Sequence, residues 1–314
     1  MRRLGLLLCF STSCLFSEYL NIKPTQSGPW FTGPLITPSA YTIPLGHYNF
    51  EPYLFVNNAF GLHNNHWNVK KFKETVSNIN LQFWAQMGVA SFMDFTLVPS
   101  FFYNYVGDES SWRFGDMFAE VTFQLTTQTG LKGFASKFAI GEIFPLGEYQ
   151  HLEKGKLLTD SSGGGSFGTS FGFVFSKRWH TYSFHYFAAR MSTSAILHSQ
   201  VKVHGLNSYG GGHGTSGRVF PGTSFPLLFG FEYNLTQNWA LALDVISTYI
   251  SQTKFKGVST KSVGWGSSYT LSFAPAIEYN FSANIGLVGG VWLTAIGRNS
   301  PQHINYVMAL NWYI

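Results

Sequence analysis

Apolar and polar residues alternate one for one along most of this chain. In GDMFAEVTFQLTTQ, Met117, Ala119, Val121, Phe123 and Leu125 share one parity, while Asp116, Phe118, Glu120, Thr122 and Gln124 share the other. NINLQFWAQM sets Ile79, Leu81, Phe83, Ala85 and Met87 against Asn78, Asn80, Gln82, Trp84 and Gln86. A period of two is that of a β-strand with two unlike faces. Twelve such segments are predicted, near 46–56, 77–88, 92–105, 115–128, 133–145, 164–177, 180–190, 223–235, 238–251, 268–281, 284–296 and 303–314. Most run 11 to 15 residues, against about 5–6 for an ordinary globular strand and roughly 9–11 for a tilted membrane crossing.

The connections separate barrel from sandwich. Long ones are expected at 57–76, 106–114, 146–163, 191–222, 252–267 and, much reduced, 297–302; short ones lie near 89–91, 129–132, 178–179, 236–237 and 282–283. Tight turns on one rim and long loops on the other are the pattern of an outer-membrane barrel, with the short turns in the periplasm. The predicted fold is all-β: a transmembrane antiparallel β-barrel of twelve strands over 46–314, with short periplasmic turns and long extracellular loops.

Composition agrees. Charged residues are 11% and aromatics 18%, with 31 Phe and 33 Gly, and beyond the N-terminus no 18-residue uncharged apolar stretch could form a membrane helix. The N-terminus, MRRLGLLLCFSTSCLFS, pairs Arg2 and Arg3 with the apolar run Leu4 to Phe10, which reads as a signal peptide over 1–17. Both cysteines, Cys9 and Cys14, fall inside it, and Ser11 sits where a lipid-acceptor site at Cys14 would carry Leu. Loss of Arg2 and Arg3 takes the formal charge from +5 to +3, and the remaining bases look scattered, which excludes a nucleic-acid binder. Residues 18–45 carry Pro24, Pro29, Pro34, Pro38 and Pro44; proline cannot donate to a ladder, so this is a non-strand leader, either periplasmic or folded into the lumen as a plug.

Charge on the lipid face is costly at mid-membrane. Glu51, Asp94, Asp116, Glu120, Glu232, Asp244 and Glu278 are therefore read as lumen-lining, with Lys137 and, through a bulge near Ala188, Arg190. A bulge near Gly141 is expected to turn Glu142 inward as well. Seven carboxylates against two bases cannot all be paired, so water is expected in the lumen. Trp84, Phe118 and Trp292 share the inward phase, as do Tyr53, Phe55, Phe102 and Phe187, which suits small amphipathic or aromatic solutes. Ladders that merely hold the barrel together would look the same. Pro52, Pro99, Pro226 and Pro275 are candidate weak points in the wall.

Catalysis and cofactors find no support. His185, Ser192, Ser194 and His198 lie close in sequence without a recognisable hydrolase pattern, HNNH and GGHG are loop histidines without carboxylate or thiolate partners, and GGGSFG opens a strand rather than a helix. The protein is read as a non-enzyme with no cofactor and no metal.

In the last stretch, HINYVMALNWYI, Tyr306, Met308, Leu310, Trp312 and Ile314 form the lipid-facing parity and an assembly signal of the kind read by the outer-membrane insertion machinery. An open sheet edge cannot sit in hydrocarbon, so this strand is expected to pair with the first, near His47 to Val56.

Three stretches carry a family resemblance: WRFGDMFAEVTF (Trp112 to Phe123), IFPLGEY (Ile143 to Tyr149) with the glycine-rich restart GGGSFGTSFGF, and LLFGFEYNLTQNWALALDV near the C-terminus. Together they resemble the outer-membrane transporters named for the meta-pathway of phenol degradation, relatives of the long-chain fatty-acid transporters. The resemblance implies a twelve-strand barrel that takes up hydrophobic or aromatic compounds and supplies no binding residues; closure on Ile314 departs from the usual Phe. The expected partners are outer-membrane lipids, periplasmic chaperones, the insertion machinery and small hydrophobic or aromatic solutes, in the outer membrane of a Gram-negative bacterium. The alternative is a structural or surface-interaction protein whose 191–222 loop, rich in Gly, Ser and His, is mobile.

Overall fold

The structure is a computed structural model that describes residues 29–182 and 184–314; the predicted signal peptide and residues 18–28 lie outside the described residues. The first half of the chain supplies β1 (Tyr48–His63), β2 (Val69–Ala90), β3 (Met93–Val98), β4 (Ser100–Val106), β5 (Glu109–Phe114), β6 (Met117–Thr126), β7 (Ala135–Phe144), β8 (Gly168–Tyr182) and β9 (His185–His198). The second half supplies β10 (Val201–His204), β11 (Ser216–Phe220), β12 (Ser224–Asn234), β13 (Trp239–Ile250), β14 (Lys254–Val258), β15 (Ser268–Asn280), β16 (Ile285–Arg298) and β17 (Ser300–Tyr313).

Pro99 divides one wall strand into β3 and β4, and Gly115–Asp116 divide the next into β5 and β6, with the Gly115 N–H donating to the Ser100 carbonyl at 2.8 Å. Counting each divided strand once, the antiparallel wall has twelve strands, and β1 pairs with both β2 and β17, so it is closed. Pro52, Pro226 and Pro275 sit inside continuous strands, each beside a gap in pairing on one side only. Strands β10, β11 and β14 form a separate sheet in the order β10-β11-β14, repeating the wall order β9-β12-β13 that they continue.

The two faces have opposite chemistry. Phe50, Phe83, Phe171, Phe173, Leu241, Tyr306 and Met308 are exposed on the outside, whereas Val174, Ala240, Ala242, Val288, Val307 and Ala309 are buried inside. An apolar outer belt on a closed sheet is a lipid-facing wall. Aromatic clusters mark its rims: Tyr103 lies 4.7 Å from Trp112, and Tyr279 4.6 Å from Trp239, by ring centroids.

Several expected boundaries move. The 57–76 loop is mostly strand, with β1 and β2 paired out to His63↔Val69, and the 106–114 loop is a turn at Gly107–Asp108 followed by β5. Strands that rise above the bilayer are wet on both faces, so alternation fades although pairing continues. The turn expected at 178–179 lies within a strand, because β8 runs on to Tyr182 and β9 begins at His185. The 191–222 and 252–267 loops hold β10, β11 and β14, which pair into a three-stranded cap.

Two predicted bulges are absent. The β8–β9 register is unbroken past Ala188↔Arg178, so Arg190 and Ala188 face inward by simple alternation, and Phe187 turns outward to stack on Trp179 and Phe231 at 5.8 and 6.0 Å. The β6–β7 and β7–β8 registers run straight through Gly141, which leaves Glu142 on the outer phase, where the Thr169 hydroxyl donates to it at 2.8 Å. Glu142 lies two residues from the extracellular end of β7, near the headgroups, where a lipid-face charge costs little.

Closure by β17 matches the expected pairing, with register from Asn49↔Tyr313 to His63↔Ser300. Deleting residues 312–314 removes the Asn49↔Tyr313 and Phe50↔Trp312 rungs and is expected to abolish the fast-migrating folded band of an unheated sample on a denaturing gel. A full-strength folded band from that truncation would show that closure does not need them.

Candidate functional site

Residues 29–45 contain no strand; they run through the barrel with bends at 35–37 and 40–41, held by the inward side chains. Gly46, at φ 82, turns the segment into β1 within a turn closed by the His47 N–H, which donates to the Pro44 carbonyl at 3.0 Å. Leu35 and Ala40 are fully buried, and Leu35 shares one apolar cluster with Phe55, Ile246, Ala274, Val288, Val307 and Ala309.

The carboxylates explain the course of this segment. Glu278 accepts the Thr32 N–H at 2.9 Å, and Asp244 accepts the N–H groups of Ile36 and Thr37 at 3.1 and 2.9 Å. Asp94 accepts the Ile43 N–H at 2.8 Å and also the Thr122 hydroxyl. Gln124 works alongside them, accepting the Thr42 N–H at 2.8 Å and donating to the Ala40 carbonyl at 2.9 Å. Pro34, Pro38 and Pro44 offer only carbonyls, so the backbone donors fall on the residues around them. Each such charge-assisted bond is worth about 1.5–3 kcal/mol where its partner is dehydrated. Seven carboxylates against two bases left most of the acids without a partner in the sequence; for these three, backbone amides of the leader supply part of the pairing.

The other predicted residues find different places. Glu51 accepts from Asn49 and Asn311 at 2.7 and 2.6 Å, a ladder across the β1–β17 seam. Arg190 Nε lies 2.9 Å from Glu232 Oε2, and its guanidinium passes over Gly33 of the leader. Asp116 faces upward into the mouth, where it accepts the N–H groups of Gly147 and Gly164, each at 2.9 Å, and so ties down the 145–167 connection. Tyr209 donates its hydroxyl to the Gly164 carbonyl at 2.6 Å; burial first, then the Asp116 carboxylate and Tyr149, push its phenol up to about 12, so it remains a donor throughout the physiological range. Glu120 and Lys137 both face inward from β6 and β7.

The inward rings form a track. Tyr53 lies 6.2 Å from Trp84, and Trp84 lies 6.5 Å from Phe118. Higher up, Trp292 meets His303 edge-on at 5.4 Å. His185 and His198 stand at opposite ends of β9, so they form no constellation with Ser192 and Ser194, and His185 is engaged with the Asn234 carbonyl at 2.8 Å.

Sequence reading missed the glycines that make room for the leader. A Cβ on Gly88 would lie 1.9 Å from the Pro44 carbonyl oxygen, on Gly286 1.9 Å from the Thr32 hydroxyl, and on Gly230 2.5 Å from Pro34. Strand glycines that allow close backbone approach are a recognisable signal, but what approaches them is visible only in the fold.

No protein-family model matches this chain, and no curated protein does. Solved structures do. The COG4313 outer membrane channel from Pseudomonas putida F1 superposes with a TM-score of 0.69 at 14% identity, over 89% of this chain and 100% of that one. This likeness shows the same barrel fold. The transport unit of the autotransporter AIDA-I from Escherichia coli has a TM-score of 0.44 at 10% identity (85% of this chain, 90% of that one) and adds nothing further. The same holds for the TodX monoaromatic hydrocarbon channel, with a TM-score of 0.39 at 8% identity (91% and 97%).

Replacing Gly230 and Gly286 by Leu is expected to expel the leader while leaving the wall closed. Added protease should then cut within residues 29–45 of the folded variant and spare the wild type. Equal protection of the two would mean that the leader is not held by this fit.

Proposed function

We propose that the protein is an outer-membrane channel for passive uptake of small hydrophobic or aromatic solutes, with the leader as its resting stopper. On this reading a cleaved signal peptide exports it from the cytoplasm of a Gram-negative bacterium, and chaperones and the insertion machinery assemble it. The carrying observation is the filling of the lumen. An uncharged segment, bonded to Asp94, Asp244 and Glu278, crosses the barrel beside the Tyr53–Trp84–Phe118 track. A lumen occupied in this way leaves little room for the hydration shells of ions and sugars. It offers aromatic faces to a solute that has already shed its water. The likeness to an outer membrane channel supports the same reading through the fold.

Passage requires the leader to move. Its bonds are many and individually modest, so it can be displaced in part, one carboxylate at a time. The polar rings of the mouth, set by Asp116 and the Trp292–His303 pair, are where a solute arrives.

Flux into liposomes tests this. Aromatic acids or fatty acids should cross faster with the wild-type barrel than in protein-free vesicles, and small sugars should not; the G230L/G286L variant should pass sugars as well. If no solute crosses faster than in empty vesicles with either protein, transport is excluded and the structural or surface role takes its place.

A further inference from the structure

The cap sheet carries a row of cations that no acid answers. Lys202 stands opposite Arg218, and Arg218 opposite Lys256, in the β10–β11–β14 register. All three are exposed, as are Lys254 and His204 on the same face. Residues 199–223 and 251–267 together contain five Lys and Arg and not one Asp or Glu. Among the described residues, the ion pairs are Lys156–Glu109 and Arg190–Glu232, and neither involves this row. Like charges directly opposite on neighbouring strands destabilise a sheet. The bases that look scattered along the sequence are thus assembled by register into one patch. The Lys256 stem is also oriented, with Nζ 5.6 Å from the centre of the Phe220 ring.

The direction of this face narrows what it can meet. The opposite face, Val201, Val203 and Val219, packs with Tyr149 and Tyr209. Tyr209 is tied through Gly164 to Asp116 at the mouth. The cationic face is therefore turned away from the mouth, toward the outside of the wall. Directly below it, at the top of β12 and β13, Phe225 and Tyr249 stack at 6.3 Å and are 46% and 40% exposed, as in an interfacial aromatic girdle. A cation row just above such a girdle stands at the level of lipid headgroups and is badly placed to steer a dissolved anion into the barrel.

We propose that the outer face of the β10–β11–β14 sheet binds phosphate groups of the phosphorylated glycolipid of the outer leaflet, through Lys202, Arg218 and Lys256. Phosphates bridging the row replace repulsion with charge-assisted hydrogen bonds. The proposal rests on outer-membrane placement and is independent of transport, so loss of flux would leave it standing.

The test titrates the purified full-length barrel in uncharged detergent with lipopolysaccharide, with the same lipopolysaccharide stripped of its phosphates, and with inorganic phosphate. The triple variant K202Q/R218Q/K256Q should bind intact lipopolysaccharide about ten-fold more weakly, while K70Q/K71Q/K73Q, on the β2 extension at the opposite side of the wall, should bind as wild type does. High salt should weaken wild-type binding. Equal binding by a folded triple variant would overturn the proposal, as would equal binding of the stripped glycolipid. Displacement by inorganic phosphate at matched concentration would overturn the lipid assignment in favour of a free anion. If the triple variant does not fold, salt-independent binding by the wild type overturns it instead.

Discussion

Three carboxylates inside a closed wall, and the backbone amides that reach them, organise the rest of this molecule. Asp94, Asp244 and Glu278 project into the interior of the wall, where a buried acid needs donors. A barrel wall spends its own backbone N–H groups on its ladders, so, alongside wall side chains such as the Thr122 hydroxyl on Asp94, any backbone donors must come from a segment outside the ladder. The leader supplies them because its prolines keep it from forming a strand. Leu35 then inserts into the apolar cluster between those anchors, so the polar and apolar contacts hold the same segment.

The wall shows the complementary adjustment. Gly88, Gly230 and Gly286 each lack the side chain that would collide with the leader, and they lie on three separate strands, β2, β12 and β16. At the other end Asp116 uses the same chemistry on a different target, accepting amides of the 145–167 connection and, through Gly164 and Tyr209, pinning the cap sheet. One device, an inward acid capped by backbone N–H groups, thus holds both the filling of the barrel and the cover of its mouth. The cap in turn presents its cations outward because its apolar face is committed to that cover.

Much of this was legible in the chain. Period-two alternation marked all twelve wall strands, and the parity of Tyr306, Met308 and Trp312 correctly gave the lipid face of β17. It gave the inward phase of Glu51, Trp84, Asp94, Phe118, Glu120, Lys137, Glu232, Asp244, Glu278 and Trp292 as well. It misled where a strand passes beyond the bilayer or where its end was misplaced. Phe187 was assigned inward with Arg190 by expecting a bulge near Ala188, where the register is unbroken, and Glu142 was given a bulge to spare it from lipid when it stands close enough to the rim to need none.

The sequence by itself determined the barrel, its strand number and its two faces, because one strand's alternation reports its two environments without reference to any other strand. Only the tertiary structure decided what the inward acids bind and where the bases gather. Those outcomes depend on pairing across long separations, such as Thr32 with Glu278 and Lys202 with Arg218 and Lys256. Local pattern carries no register between distant strands, and it does not say that a proline-rich leader turns back into the barrel it precedes.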